Sequence, residues 1–245
     1  MARIYDELAE WYPLLTHVKD YEEEATFFTR LLEPRDPKPT LLELGCGQGV
    51  NAFYMKAAFD LTLVDLSEPM LALSRRLNPE LPHLIGDMRT VRLDRSFDRV
   101  FVHDAITYIT SSADLERTIK TVAAHLAADG IALLAPDYLK ENFVSGWDDG
   151  GHDGPDGRGL RYVEHCQDPD PEDETYQVDL SLMLREPDGS IRVEHDRHIE
   201  GLFPRQTWLD LAAKAGLSAE TVVFEHSDLD EDHVYELILC RKASA

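Results

Sequence analysis

Two hydrophobic periods alternate along the chain. Tyr21, Ala25, Phe28 and Leu32 recur at helical spacing. The first 34 residues therefore read as two helices, and Pro34, Pro37 and Pro39 close them off. Short apolar runs follow at 41–44, 61–64 and 131–135, each the length of a buried strand. Helical patterns separate them. Ser67 is placed to cap a helix carrying Met70, Leu71, Ser74 and Leu77. Ser111 and Asp114 have capping-box spacing ahead of Leu115, Ile119, Val122 and Leu126, and Asp129-Gly130 is the stop signal. This alternation predicts an α/β fold: a doubly wound, mostly parallel, seven-stranded sheet with helices on both faces.

The rhythm breaks at Pro136 and resumes near Pro204, where Trp208, Leu211, Ala212 and Ala215 mark a helix ended by Gly216. The intervening stretch is too long for a simple crossover. Within it Tyr176, Val178, Leu180, Leu182 and Leu184 alternate strictly with polar or small residues. Pro187-Asp188-Gly189-Ser190 is a turn, and 191–193 resume the alternation, so the stretch predicts a hairpin with one apolar face. Residues 160–165 supply a third strand. The expectation is a small antiparallel cap sheet inserted after strand five. The division is then a core of 1–136 and 204–245, with 1–34 as its helical cover, and a cap at 137–203. Residues 221–224 and 234–240 read as a closing strand pair joined by an acidic turn at 227–233.

The segment 41–49 carries the chemistry. An apolar strand runs into Gly45-Cys46-Gly47-Gln48-Gly49, and the next strand ends on Asp65. Glycine lets a ligand approach the backbone, and an acid at the end of the second strand can hold both ribose hydroxyls. A dinucleotide pocket wants G-x-G-x-x-G, yet Val50 stands where its third glycine would be. Glu43 just before the turn repels a pyrophosphate and suits a cationic amino group. A nicotinamide-dependent oxidoreductase is therefore the weaker alternative.

The run 43–49 resembles the first motif of class I S-adenosylmethionine-dependent methyltransferases. Asp65-Leu66-Ser67 followed by Met70 resembles that family's ribose-binding strand end and the residue covering the adenine. Gly86-Asp87-Met88 resembles the third-strand end, and 97–102 the fourth strand. The resemblance implies S-adenosyl-L-methionine as cofactor, with Glu43, Gly45, Cys46, Gly47, Asp65, Leu66, Met70, Asp87, Met88 and His103 around it. Tyr21 is a candidate donor to the methionine carboxylate.

Local segments around Lys19-Asp20-Tyr21, Gly146-Trp147 and Arg197-His198-Ile199 are similar to aminosugar N,N-dimethyltransferases. That likeness implies a methyltransferase acting on a small-molecule acceptor: an amine, a hydroxyl or a carboxylate. His103, Asp104 and Tyr108 follow strand four. Tyr108 is the candidate for orienting the nucleophile, and His103 for lining the cofactor or acting as base. Tyr12, Tyr138, Trp147 and His198 are the substrate-binding candidates. A cofactor-binding protein without catalysis would carry the same motifs. The Gly/Asp-rich segment 148–159 matches no known metal loop, so no metal is expected.

Net charge is −23, from 24 basic and 47 acidic residues. Such a surface repels phosphate backbones and anionic lipid, so neither nucleic acid nor membrane is an expected partner. No stretch has the ~20 apolar residues of a membrane span. Three well-separated cysteines fit free thiols in a reducing cytosol. The expectation is a cytoplasmic protein, monomer or homodimer, with enough apolar residues, 43%, for a sizeable core.

Overall fold

The computed structural model describes residues 2–227, 229 and 234–242. Seven strands form the main sheet: β1 (Thr40–Leu44), β2 (Asp60–Asp65), β3 (His83–Ile85), β4 (Phe97–His103), β5 (Leu126–Ala135), β10 (Leu217–Phe224) and β11 (Tyr235–Lys242). Their order is β10-β11-β5-β4-β1-β2-β3. β11 runs antiparallel to both neighbours, and the other pairings are parallel. The chain therefore reverses direction across β1 and β4. Their carboxyl ends flank the switch point where open α/β sheets bind ligands.

Alternating residues send each strand into two cores. Leu42 and Leu44 join Val100, Val102 and Leu134 under α5 (Ser112–His125) and α6 (Arg205–Lys214). Leu41 joins Leu61, Leu63, Phe101 and Leu133 under α2 (Glu22–Leu31) and α3 (Val50–Met55). On the second face α4 (Glu68–Leu77) contributes Leu71. As expected, Ser67 and Ser111 cap α4 and α5 through their side chains.

A separate antiparallel sheet follows β5: β6 (Gly146–Gly150), β7 (Gly159–Gln167), β8 (Thr175–Arg185) and β9 (Ile191–Gly201), in that order. Its apolar face, Leu160, Leu180, Leu182 and Leu184, packs on Ile4, Leu8, Trp11 and Leu14 of the N-terminal segment. The N-terminal cover is thus bound to the cap, and together they roof the switch point. Leu182 is fully buried there. Leu182→Ala should destabilise the fold by about 3 kcal/mol through lost burial and the cavity left behind, read by chemical denaturation.

Four elements differ from the sequence reading. The first predicted helix is instead a series of short 3-10 turns and one turn of helix, α1 (Tyr12–Leu15), because Ile4, Leu8 and Trp11 each reach separately for the cap. Leu126 leaves α5 with ψ 128° and opens β5 against Phe97, so Asp129-Gly130 lie in the strand and do not end the helix. The Gly/Asp-rich segment begins as β6, an edge strand whose exposed side chains hide its strand period. β10 starts at Leu217, four residues before the predicted run. Most of the acidic turn at 227–233 lies outside the described residues. Among the described residues no helix is long and apolar enough to cross a membrane.

Candidate active site

A cavity of about 700 Å³ opens over the carboxyl ends of β1, β2, β4 and β5, roofed by the N-terminal segment and the cap. Its floor is the glycine turn. Gly45 has φ +76°, and a Cβ there would meet that of Ala105 at 2.3 Å, so only glycine fits. The backbone amides of Gly45 and Cys46 both donate to the Val64 carbonyl, which ties the turn to the end of β2. Asp65 closes that end. Its carboxylate accepts from Gly47 N at 2.7 Å and Ser67 N at 2.8 Å. Burial raises its pKa in spite of these bonds. Leu66 and Met70 line the wall beside it. Asp87, paired with Arg89 and held below the usual carboxylate range by it, stands at the rim with Met88.

Glu43 is 3% exposed, and its Oε2 has no partner. Burial pushes its pKa up to about 8. An unpartnered buried acceptor at this point suits a ligand ammonium, whose charge would hold the carboxylate ionised. Below pH 8 a proton must leave Glu43 for such a ligand to bind, so affinity rises with pH. For S-adenosylhomocysteine we expect an increase of about tenfold or more from about pH 6.5 to about pH 8.5. Titration calorimetry across that range checks this, and Glu43→Gln should flatten the slope.

His103 ends β4 and stacks on Phe101. Its Nε2 lies 2.8 Å from Asp104 and 3.8 Å from Glu24. Burial lowers its pKa, but Asp104, Glu24 and Glu43 outweigh that and raise it to about 9. Asn51 Nδ2, 3.2 Å from His103 Nδ1, favours the neutral ring. Asp104 and Glu24 outweigh one amide contact, so the ring is cationic at neutral pH. Asp104 and Asp137 share a hydrogen bond, and burial next to Asp104 drives Asp137 well above the carboxylate range.

Under the cap the hydroxyl of Tyr108 lies 2.8 Å from that of Tyr5 and 2.7 Å from His198 Nδ1. His198 Nε2 is 3.3 Å from Asp196, off the hydrogen-bonding line. Burial lowers the His198 pKa, while Glu200 and Asp196 more than restore it. Glu200 also accepts from the Tyr176 hydroxyl.

The cavity gathers every site residue the sequence nominated except one: Tyr12, Tyr21, Glu43, Gly45, Cys46, Gly47, Asp65, Leu66, Met70, Asp87, Met88, His103, Tyr108, Tyr138 and His198 all line it. Trp147 does not. Strand pairing puts Asp148 beside Glu164 on the cavity face, so Trp147 points to the opposite face, tilted against His165 and 74% exposed. The sequence reading missed Tyr5, Asn51, Asp137, Glu164 and Glu200, which also line the cavity. Glu200 carried a usable signal, because it lies two residues beyond His198 on one strand and so shares its face.

A glycine turn with an acid at the next strand end, an unpartnered carboxylate beneath and a roofed chamber above define an S-adenosylmethionine-dependent methyltransferase. Comparison with known proteins agrees. Residues 41–130 match the model of the methyltransferase domain. The chain is 31% identical over 219 residues to the dTDP-3-amino-3,6-dideoxy-alpha-D-glucopyranose N,N-dimethyltransferase of Streptomyces fradiae, covering 87% of this chain and 85% of that one. It therefore belongs to that enzyme's family of S-adenosylmethionine-dependent methyltransferases. A second relative is the dTDP-3-amino-3,4,6-trideoxy-alpha-D-glucopyranose N,N-dimethyltransferase of Streptomyces venezuelae, 28% identical over 82% of this chain and 85% of its own. Among solved structures, DesVI of Streptomyces venezuelae superposes with a TM-score of 0.82 at 26% identity, over 96% of this chain and 98% of that one. The oxidoreductase alternative finds no support in these matches.

Proposed function

We propose that this enzyme transfers methyl groups to the amine of an aminosugar. The observation that carries the reading is one continuous cavity whose floor suits a nucleoside with an ammonium and whose roof is aromatic and acidic. The family relationship supports it, since both relatives above are named for aminosugar amines.

In this reading Glu43 meets the ammonium of the methionine portion, and Tyr21 donates to its carboxylate. The backbone at Gly45, Cys46 and Gly47 runs beneath it, with His103 alongside. Asp65 holds the ribose hydroxyls. Leu66, Met70, Asp87 and Met88 surround the adenine. Residues 137–203 are the substrate subdomain on a cofactor-binding core of 1–136 and 204–245. Tyr12, Tyr138 and His198 face the acceptor.

S-adenosylmethionine supplies an electrophilic methyl group on a sulfonium. The chain's own task is to align the amine and take its proton. Tyr108 donating to His198 Nδ1 leaves its oxygen able to accept from an amine N–H. As nitrogen gives up its proton to Tyr108, the Tyr108 proton passes to His198, and Asp196 and Glu200 stabilise the resulting cation. His103 does not suit the role of base, because it is already charged at neutral pH. It serves instead to balance Glu24, Glu43 and Asp104.

The test is incubation with methyl-deuterated S-adenosylmethionine and a panel of aminosugars with their hydroxy and carboxy counterparts, read by mass spectrometry. Label on nitrogen is expected. Label on oxygen or carbon only, or on no member, refutes the reading.

A further inference from the structure

The cavity is strongly one-sided in charge. Eight carboxyl groups line it, two of which, Asp137 and ligand-free Glu43, hold a proton at neutral pH; against them stand the His103 cation and Arg89, the single lysine or arginine lining it among the described residues. Arg89 is already held by Asp87 and Asp114. At the cap end Asp137, Glu164 and Glu200 come from three different elements, so the bias is not one local run. A second observation points the same way. Glu43 Oε2 and Asn51 Oδ1 belong to cavity-lining side chains more than nine-tenths buried, and neither atom has a partner. Both are acceptors awaiting a donor. The cofactor ammonium accounts for one, and the other adds to the demand for donors.

No lysine or arginine of the cap lines the cavity among the described residues, and Lys140 donates to the Pro171 and Asp173 carbonyls. All five arginines of 137–203 are engaged. Arg158 pairs with Asp156, Arg161 and Arg185 share Asp153, Arg192 meets Glu194, and Arg197 meets Asp179. Arg3, at the edge of the N-terminal cover, pairs with Glu7 and Glu194. The closing limb adds none, because the sequence has no lysine or arginine from 215 to 240. Yet recognition of a diphosphate depends on arginine forks, lysines or open helix termini.

We infer that the acceptor is a cationic aminosugar whose scaffold carries no phosphate, in contrast to the nucleoside-diphosphate sugars for which the relatives are named. The inference rests on the aminosugar reading and narrows it. Apart from its ammonium such a glycoside presents only hydroxyls, which donate to carboxylates and exchange hydrogen bonds with tyrosines. Its ammonium is drawn in by the cavity field and loses its proton at Tyr108. A diphosphate brought to the same chamber adds negative charge where Asp65, Asp104, Glu164 and Glu200 already crowd together, and like charges brought together at an interface are strongly disfavoured.

The experiment compares two acceptors with the same purified full-length protein: a 3-amino-3-deoxyhexose as its methyl glycoside, and the same sugar linked to thymidine diphosphate. Binding of S-adenosylhomocysteine is measured in parallel. We expect kcat/KM for the glycoside to exceed that for the diphosphate by about 100-fold or more. The glycoside KM should also rise with salt as the field is screened. Equal rates, or preference for the diphosphate, overturn the inference and leave the aminosugar reading standing. Methylation of neither, with S-adenosylhomocysteine still bound, overturns that reading and the inference with it.

Discussion

Asp65→Ala should lower affinity for S-adenosylhomocysteine by about 100-fold or more, on a scale of 1.5–3 kcal/mol for each hydrogen bond to a charged group. Two losses combine. The ribose hydroxyls lose their acceptor, and the amides of Gly47 and Ser67 lose the carboxylate that fixes the turn. Asp65→Asn keeps one oxygen and should cost about tenfold, as a single weakened bond does. Calorimetric titration distinguishes the two. Unchanged affinity in the alanine variant would move the nucleoside away from the end of β2.

The second large effect is on turnover. Tyr108→Phe should reduce kcat by about 100-fold with cofactor affinity nearly unchanged, the size of a lost proton-transfer group. His198→Gln keeps a hydrogen-bonding group beside Tyr108 but takes up no proton, so it should lose kcat similarly. The double variant should be little worse than either, because the two act as a unit. The pH profile separates relay from packing. His198 accepts a proton only when neutral, so kcat falls as pH falls through its pKa. The groups facing it are Asp196 and Glu200 on its own strand, Glu164 on β7, Tyr108, and Tyr5 from the N-terminal cover. Its raised pKa sets that acid limb above the ordinary histidine value. Asp196→Asn still accepts from Ile4 N through its amide oxygen, but removes a charge and should move the limb to lower pH. A limb that stays in place would reduce His198 to packing.

The main sheet was legible because its signals are local. Gly45 and Asp65 mark strand ends through backbone conformation and charge, and neither needs a distant partner to be read. Strict alternation from Tyr176 to Leu184 likewise gave the cap hairpin. The roof was harder. Tyr5, Ile4 and Trp11 take their roles from contacts with Tyr108, β8 and β9, more than 90 residues away in sequence, and no period of their own announces them. Trp147 failed for the opposite reason. The family likeness around Gly146-Trp147 drew it to the site, while the register of β6 against β7 turned it outward. Of the acid roof only Glu200 had a signal, through its spacing from His198; Asp137 and Glu164 join it only when the cap closes over the core.

In the proposed reaction one chamber holds the cofactor on the glycine turn and the acceptor beneath the cap. A crystal structure with S-adenosylhomocysteine and a methyl aminoglycoside bound tests it most directly. The ribose should lie on Asp65, the amino group on Glu43, and the acceptor nitrogen between the sulfur and Tyr108. A nucleoside away from Asp65, or an acceptor nitrogen remote from Tyr108, would contradict it.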